Sequence, residues 1–319
     1  MKMIGTDKHP ESLGFSEMAF LVHTPVWPGS PPSLQEARHY CRKLARSHYE
    51  NFIVATFLLP ARLRQHFYSI YAYCRVSDDL GDESGNPQLA LERLKQWESE
   101  LQACYQGRVR HPVFVALRET IDLFKIPVQP FADLLEAFQR DQVKTRYQTF
   151  AELLDYCRYS ANPVGRLVLY LGGYSDPERQ ILSDYTCTAL QLANHWQDIQ
   201  KDLTRLNRIY LPLEDMENFH YSEADLNAER CDDRFVRLMQ LEIKRARDLF
   251  HKGLRLAELV DWRLALDIEL FGRCGLELLD RIEAANYDIF KRRPIVSKWA
   301  RMRLLLSCWR SRRASKSSK

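Results

Sequence analysis

A helical spacing of apolar residues along most of the chain constrains the fold more than any other feature of the sequence. From Ser33 onward apolar side chains recur every three or four residues, and no stretch keeps the alternation of a β-strand. Prolines and glycines divide this pattern into segments of helical length. The predicted helices cover residues 33–49, 61–83, 87–107, 112–124, 130–143, 149–171, 176–204, 231–260 and 262–285. The sequence therefore predicts an all-α protein.

The two ends of the chain differ from this helical body. Four prolines between residues 25 and 32 forbid a continuous helix, so residues 1–32 are predicted to be an irregular lead-in. Residues 310–319 contain three Arg, two Lys and no acidic residue, which predicts a disordered basic tail. No repeat or low-complexity linker interrupts the part between them, so residues 33–309 are predicted to form a single domain.

Charge and cysteine usage exclude several classes of protein. The net charge is +4 and its excess lies in the tail, so the body lacks the basic surface of a nucleic-acid-binding protein. The eight cysteines include no CxxC pair and no zinc spacing, which predicts reduced thiols in a cytoplasmic protein. No apolar run can span a bilayer. Any contact with the inner face of a membrane would be peripheral, through the Arg-rich apolar stretch at 299–313, which is equally well explained as a last packing helix.

A first acidic motif occupies residues 75–83. Asp78 and Asp82 are four residues apart and extend the apolar stripe of their helix. A carboxylate in such a setting is costly unless a positive group compensates it, either the neighbouring Arg75 or a metal ion. Alternatively, the helix reaches solvent near Gly81 and these acids form its hydrated end. The pattern alone leaves both interpretations open.

A second acidic motif lies in the predicted helix at 176–204. Asn194, Asp198 and Asp202 follow one another at intervals of four and share a face with Gln191. The apolar residues of this helix lie on the opposite face. A polar face opposite an apolar stripe is usually hydrated, so periodicity by itself favours an ordinary surface here.

The combination of the two motifs is more informative than either one. Mg²⁺ takes oxygen ligands and usually binds through a few carboxylates together with substrate phosphates. If the two helices face each other across a cavity, Mg²⁺ between them would neutralise a diphosphate and assist its departure. The 15 Phe, 15 Tyr and 6 Trp residues suit a cavity that accepts a long hydrocarbon. The pair of motifs therefore predicts a Mg²⁺-dependent site for a prenyl diphosphate.

These motifs resemble the two signatures of the squalene/phytoene synthase family. The first signature is similar to residues 71–82, and the second to residues 194–202 followed by Arg-Ile-Tyr-Leu-Pro at 208–212. Shorter similar segments occur at 156–165 and 286–294, and the resemblance covers about residues 35–300. It implies the isoprenoid-synthase fold, a helical bundle around a central cavity.

Within the family, residues 47–52 resemble the branch of bacterial hydroxysqualene synthases. Most members carry serines here near a substrate diphosphate, whereas this chain has Glu50 and Asn51. It also has Gln197 where many relatives have a basic residue. The resemblance implies that presqualene diphosphate and water become hydroxysqualene and diphosphate in hopanoid biosynthesis, with Mg²⁺ as cofactor. It also implies a presqualene diphosphate synthase and a hydroxysqualene reductase as partners in the pathway.

The same resemblance assigns roles to individual residues. The metal ligands would be Asp78, Asp82, Asn194, Asp198 and Asp202. The diphosphate contacts would be Arg75, Gln191, Lys201 and Arg208. Glu50, helped by Asn51, would position the capturing water, while Tyr71 and Tyr159 would stabilise cations or orient phosphate. For Glu50 and Lys201 an exposed helix surface is an open alternative, and for the two tyrosines so is ordinary core packing.

Two other functions remain open from the sequence. One is a head-to-head prenyltransferase that condenses farnesyl or geranylgeranyl diphosphate to presqualene diphosphate, squalene or phytoene. The other is a non-catalytic helical lipid-binding protein that keeps the fold.

Overall fold

The computed structural model describes residues 24–47 and 60–317 of the chain. Glu50 and Asn51, both predicted to be catalytic, lie outside the described residues. Within the described part, the helices are α1 Leu34–Ser47, α2 Ala61–Asp82, α3 Pro87–Tyr105, α4 Pro112–Phe124, α5 Gln129–Arg140, α6 Phe150–Ser160, α7 Asn162–Leu171, α8 Pro177–Leu206, α9 Leu213–Asn218, α10 Glu223–Asn227, α11 Asp233–Gly253, α12 Trp262–Ala284 and α13 Lys298–Ser317. A 3₁₀ helix, Leu254–Glu258, follows α11. The predicted all-α fold is confirmed.

The chain divides into two compact units. Of the described residues, the first unit contains 24–47 and 61–143, with helices α1 to α5. The second contains Pro60 and residues 144–317, with helices α6 to α13. That residues 33–309 form a single domain stays a prediction.

An aromatic core fixes α2 in the first unit. The ring of Tyr73 lies 5.0 Å from that of Phe131, and its hydroxyl donates a 2.8 Å hydrogen bond to the Phe131 carbonyl. Trp97 packs at 4.3 Å on Phe114, and its indole N–H donates to the Ser77 hydroxyl at 3.0 Å. Because Ser77 directly precedes the first acidic residues, these contacts set the rotation of α2 and hence the direction of the acidic motif.

Two glycines let neighbouring helices approach α8 in the second unit. A Cβ atom at Gly165 in α7 would lie 2.3 Å from the Ser183 hydroxyl oxygen. A Cβ atom at Gly253 in α11 would lie 2.7 Å from the backbone nitrogen of Thr186. The Ser183 hydroxyl can rotate away from an added Cβ atom, whereas the Thr186 backbone cannot, so the close packing of α11 on α8 depends on glycine at residue 253.

Most helix boundaries agree with the sequence prediction, and the differences have local causes. The predicted helix 149–171 is two helices, α6 and α7, because Asn162-Pro163 breaks it, as a proline inside a helical pattern does. The short helices α9 and α10 were not predicted. The predicted lead-in shows no helix over residues 24–33, and its earlier part lies outside the described residues.

The C-terminal end differs more clearly from the prediction of a disordered tail from residue 310. Helix α13 continues through residues 310–317. Arg312 gives one physical reason, because its guanidinium donates hydrogen bonds to the Glu269 carboxylate at 2.8 Å and to the Ala257 carbonyl at 3.0 Å. Within the described residues, no helix has the length and apolar content needed to cross a membrane.

Candidate active site

The first acidic motif forms the C-terminal end of α2 and is organised around Arg75. The Arg75 guanidinium pairs with the buried Asp79 carboxylate one turn away and lies 3.5 Å from the Asp78 carboxylate and 3.6 Å from that of Glu83. Asp79 is 2% exposed, whereas the Asp78 side chain is 43% exposed and Asp82 is exposed. The sequence predicted a compensating positive group for Asp78 and Asp82, but the buried carboxylate that Arg75 pairs with is that of Asp79. The exposure of Asp78 and Asp82 agrees with the alternative of a hydrated helix end. Asp78 and Asp82 present the more accessible carboxylates of the motif.

Protonation in this motif follows from burial and from the same charges. Burial alone would lower the pKa of Arg75, but the Asp79 and Asp78 carboxylates outweigh it and raise that pKa. Burial raises the pKa of Tyr71, and Arg75 only partly opposes the rise. At neutral pH Arg75 is therefore charged, and the half-buried Tyr71 keeps its hydroxyl proton and can donate a hydrogen bond.

The second acidic motif lies in the C-terminal half of α8, and its central carboxylate is paired with a residue that sequence reasoning did not select. Arg293 binds both oxygens of Asp198, with 3.0 Å from a guanidinium nitrogen to Oδ2. The same guanidinium donates to Gln197 Oε1 at 2.9 Å, while the Gln197 amide donates to the Pro294 carbonyl. Gln197 and Asp198 thus bind the segment after α12. The sequence held a signal for Arg293, because residues 286–294 carry part of the family resemblance.

Asp202, the next residue on the acidic face of α8, adjoins a buried histidine. His195 is 5% exposed, its ring stacks on Tyr210 at 3.6 Å, and its Nδ1 lies 3.9 Å from Asp202 Oδ2. Burial lowers the pKa of His195, although Asp202 opposes this. The Gln191 amide nitrogen lies 3.2 Å from the other ring nitrogen of His195. A neutral His195 therefore connects Gln191, Asp202 and Tyr210 in one polar cluster.

An aromatic cluster supports this part of α8. The rings of Tyr147 and Tyr156 lie 5.7 Å from that of Tyr210, with Tyr147 nearly parallel to it. Arg208, in the loop that carries Tyr210, is 7% exposed, and its backbone N–H donates to the Asp202 carbonyl at 3.0 Å. The Arg-Ile-Tyr-Leu-Pro segment is therefore the buried continuation of the second acidic motif.

The remaining predicted residues of this unit differ in exposure. Asn194 and Lys201 are exposed on α8, while the Asp198 and Asp202 side chains are 15% and 14% exposed. Tyr159 is partly buried on α6, and the Arg158 guanidinium lies 4.7 Å from the centre of its ring. The role of Tyr159 stays a prediction.

The donors available for a metal come in pairs. Among the residues that the structure describes, no three His, Cys, Asp or Glu side chains are grouped in a way that would hold a metal ion. Each acidic helix instead carries two aspartates four residues apart, Asp78 with Asp82 and Asp198 with Asp202. Mg²⁺ usually binds through one or two carboxylates and completes its shell with substrate phosphates and water. The donor chemistry therefore fits Mg²⁺ bound together with a diphosphate.

An all-α fold with aspartate pairs on two helices agrees with the isoprenoid-synthase fold that the resemblance implies, and comparisons with known proteins identify the family. The family described as squalene/phytoene synthase matches residues 45–300. The chain belongs to the squalene/phytoene synthase family, as its motifs predicted.

The similar proteins include synthases named for squalene, dehydrosqualene and phytoene. The crystal structure of squalene synthase HpnC from Alicyclobacillus acidocaldarius is similar, with 47% identity, a TM-score of 0.77 and coverage of 81% of this chain and 97% of that one. A dehydrosqualene synthase structure has 26% identity and a TM-score of 0.80, with 88% and 98% covered. The 15-cis-phytoene synthase of Synechocystis sp. is 34% identical over 293 residues, with 87% of this chain and 86% of the relative covered.

The family membership defines the class of reaction. Its members are enzymes of head-to-head prenyl chemistry that bind prenyl diphosphates and generally use a divalent metal, typically Mg²⁺. A non-catalytic lipid-binding protein is disfavoured, since both acidic motifs are complete in this chain.

Proposed function

We propose that this enzyme converts presqualene diphosphate and water into hydroxysqualene and diphosphate, with Mg²⁺ as cofactor. The proposal rests on the hydrogen bonds that the Gln197 side chain makes. This side chain is neutral, and both ends of its amide are used in binding Arg293 and Pro294. It therefore adds no positive charge beside Asp198.

The charge requirement differs between the two candidate reactions. Condensation of two farnesyl diphosphates brings two diphosphates to the enzyme, whereas presqualene diphosphate carries one. Arg293, the cation next to Gln197, already neutralises Asp198. Because Gln197 adds no further cation to the second acidic motif for another diphosphate, the motif suits a substrate with a single diphosphate.

The similarity to known proteins supports a substrate and a product with 30 carbon atoms, the C30 series to which squalene belongs. The identity is 47% with the chain named a squalene synthase, against 32% to 34% with three cyanobacterial phytoene synthases. Presqualene diphosphate and hydroxysqualene both belong to the C30 series.

In the proposed mechanism the chain binds one diphosphate and shields a carbocation intermediate from bulk water. Asp78, Asp82, Asn194, Asp198 and Asp202 would hold Mg²⁺, which would supply Lewis-acid stabilisation of the departing diphosphate. Arg75, Gln191, Lys201 and Arg208 bind its oxygens. The carbon–oxygen bond breaks with its electron pair leaving on the diphosphate, and the cyclopropylcarbinyl cation rearranges away from bulk water.

Water then captures the rearranged cation and releases a proton, giving hydroxysqualene. Glu50 accepts that proton or orients the water, with Asn51 as its helper. Tyr71, whose hydroxyl stays protonated, orients the diphosphate by donating a hydrogen bond.

The proposal also places the enzyme in a pathway. A presqualene diphosphate synthase supplies the substrate and a hydroxysqualene reductase consumes the product, and the enzyme itself acts in the cytoplasm. A peripheral position at the inner face of the membrane brings the enzyme to the phase in which its product dissolves.

The alternative is a head-to-head prenyltransferase, favoured by the similarity to phytoene synthases over more than 80% of the chain. Purified protein with Mg²⁺ is incubated separately with presqualene, farnesyl and geranylgeranyl diphosphate, and the products are identified. We expect turnover of presqualene diphosphate alone, lost in Asp78→Ala and kept in Asp248→Ala, a control at an exposed aspartate of α11. Consumption of farnesyl or geranylgeranyl diphosphate by the unmodified protein would establish the alternative.

The segment that contains Glu50 and Asn51 provides a second arm of this test. If these residues distinguish the two reactions, the double variant Glu50→Ser with Asn51→Ser gains turnover of farnesyl diphosphate. A double variant that binds and turns over only presqualene diphosphate would remove the segment as the determinant of specificity.

A further inference from the structure

The C-terminal helix α13 exposes a strip of large apolar side chains. The exposed fractions are 85% for Trp299, 52% for Met302, 46% for Leu306 and 39% for Trp309. Intervals of three and four residues place these four side chains, hereafter the apolar strip, along one side of the helix. A contiguous apolar surface of this kind marks an interaction site more often than scattered exposed residues do.

The opposite side of α13 attaches the helix to its own unit. Ala300 is 7% exposed and Cys308 is fully buried. On the same side Arg312 binds the Glu269 carboxylate and the Ala257 carbonyl. Because the attachment uses the other face, the apolar strip is directed away from the core and stays available.

The charges beside the apolar strip indicate what it binds. Helix α13 contains seven basic residues and no acidic one: Lys298, Arg301, Arg303, Arg310, Arg312, Arg313 and Lys316. Arg303 and Arg310 line one shallow groove with Trp299, Met302 and Leu306. A surface that mixes tryptophan and leucine with arginine suits a lipid boundary, where apolar side chains enter the acyl region and arginines meet anionic headgroups.

We propose that α13 is a membrane-surface helix that inserts its apolar strip into a bilayer containing anionic lipids. Two copies of this chain are disfavoured as the alternative, because pairing the strips would bring their arginines together. Because Arg303 and Arg310 lie among the apolar residues, the proposed partner is a bilayer whose anionic headgroups these arginines can bind. The inference concerns binding and is independent of which prenyl diphosphate the enzyme uses.

Vesicle co-sedimentation of the full chain tests the proposal. Vesicles of phosphatidylcholine alone are compared with vesicles that also contain phosphatidylglycerol, at low and high salt. The test variant is Trp299→Ser with Leu306→Ser. The control is Ile181→Ser with Trp262→Ser, which removes two exposed apolar side chains of the same unit outside α13.

We expect binding to the anionic vesicles only, weakened by high salt and weakened at least about tenfold in the test variant. The control variant should bind like the unmodified chain, and all three proteins should show equal turnover in detergent solution. Quenching of tryptophan fluorescence by brominated lipid should accompany binding and decrease in the test variant. Equal vesicle binding by the test variant would overturn the proposal, as would equal binding to neutral vesicles. Self-association that the test variant abolishes would identify a second copy as the occupant instead.

Discussion

Glu242 in α11 is a carboxyl group buried without a full set of partners. It is 0% exposed, Arg245 donates to its Oε1 at 2.9 Å, and Oε2 has no hydrogen-bond partner among the described residues. Burial raises its pKa to about 8, and the nearby Asp215 adds to this while Arg245 opposes it. In the folded protein Glu242 is therefore largely neutral at pH 7, and the unfolded chain must lose its proton at a lower pH.

This shift predicts a loss of stability as pH rises. Between the usual pKa of 4.5 and about 8, the unfolded state releases a proton that the folded state keeps, so the free energy of unfolding falls with pH. Glu242→Gln removes this dependence. We expect the variant to gain about 3 kcal/mol relative to the unmodified protein between pH 5 and pH 8. Urea unfolding at both pH values measures it, with the exposed Glu258→Gln as control, and a constant difference would contradict the assignment.

Arg293 forms an ion pair with the Asp198 carboxylate, which is proposed to bind Mg²⁺. Removing this internal counterion should strengthen metal binding in the absence of substrate. Because the Arg293 side chain is 51% exposed, solvent weakens the pair, and the expected gain for Arg293→Gln is only roughly two- to fivefold. Mn²⁺ binding followed by electron paramagnetic resonance measures it, with the exposed neighbour Arg292→Gln as control. An unchanged affinity would show that Asp198 is not a metal ligand in the free enzyme.

At the scale of elements, the sequence predicted helices well where the apolar period runs for three turns or more. Helices α1 to α8, α11 and α12 agree with the predicted segments to within a few residues, apart from the break between α6 and α7 and the 3₁₀ turn after α11. Helices α9 and α10, of six and five residues, were missed because they are too short to show a period. The end of α13 was missed because its Arg- and Ser-rich composition indicates disorder, while its contact with Glu269 depends on tertiary structure.

The close packing of α11 on α8 depends on the absence of a Cβ atom at Gly253. The Cβ of an alanine there would lie 2.7 Å from the Thr186 backbone nitrogen, so the helices would have to separate. We expect Gly253→Ala to lower the free energy of unfolding by about 2 kcal/mol. Adding Thr186→Ala should not restore it, since the clash with the backbone remains. Full recovery in the double variant would mean that only the Thr186 hydroxyl sets the contact.

At the scale of the whole molecule, both acidic motifs and Arg75, the partner in the first motif, were predictable, whereas the partners of the second motif were not. A spacing of four residues suffices to place Asp78 with Asp82, and Asp198 with Asp202, on one helix face. Asp198 pairs with Arg293, and His195 stacks on Tyr210. The periodicity of the sequence cannot show that these residues are in contact. The ion pair spans 95 residues of sequence.

The choice of reaction also belongs to the whole molecule, because the family membership leaves several products open. The proposal assigns this enzyme a single diphosphate substrate and water as the second reactant. Water as a reactant has a consequence that neither condensation nor simple phosphate-ester hydrolysis shares. Cleavage of the carbon–oxygen bond sends the original oxygen away with the diphosphate, so the alcohol oxygen must come from solvent.

The most direct measurement is therefore turnover of presqualene diphosphate in ¹⁸O-labelled water with Mg²⁺, with and without NADPH, followed by mass spectrometry of the lipid products. The account predicts hydroxysqualene carrying one ¹⁸O atom in both conditions. Squalene formed only with NADPH, or an alcohol that retains unlabelled oxygen, would contradict it.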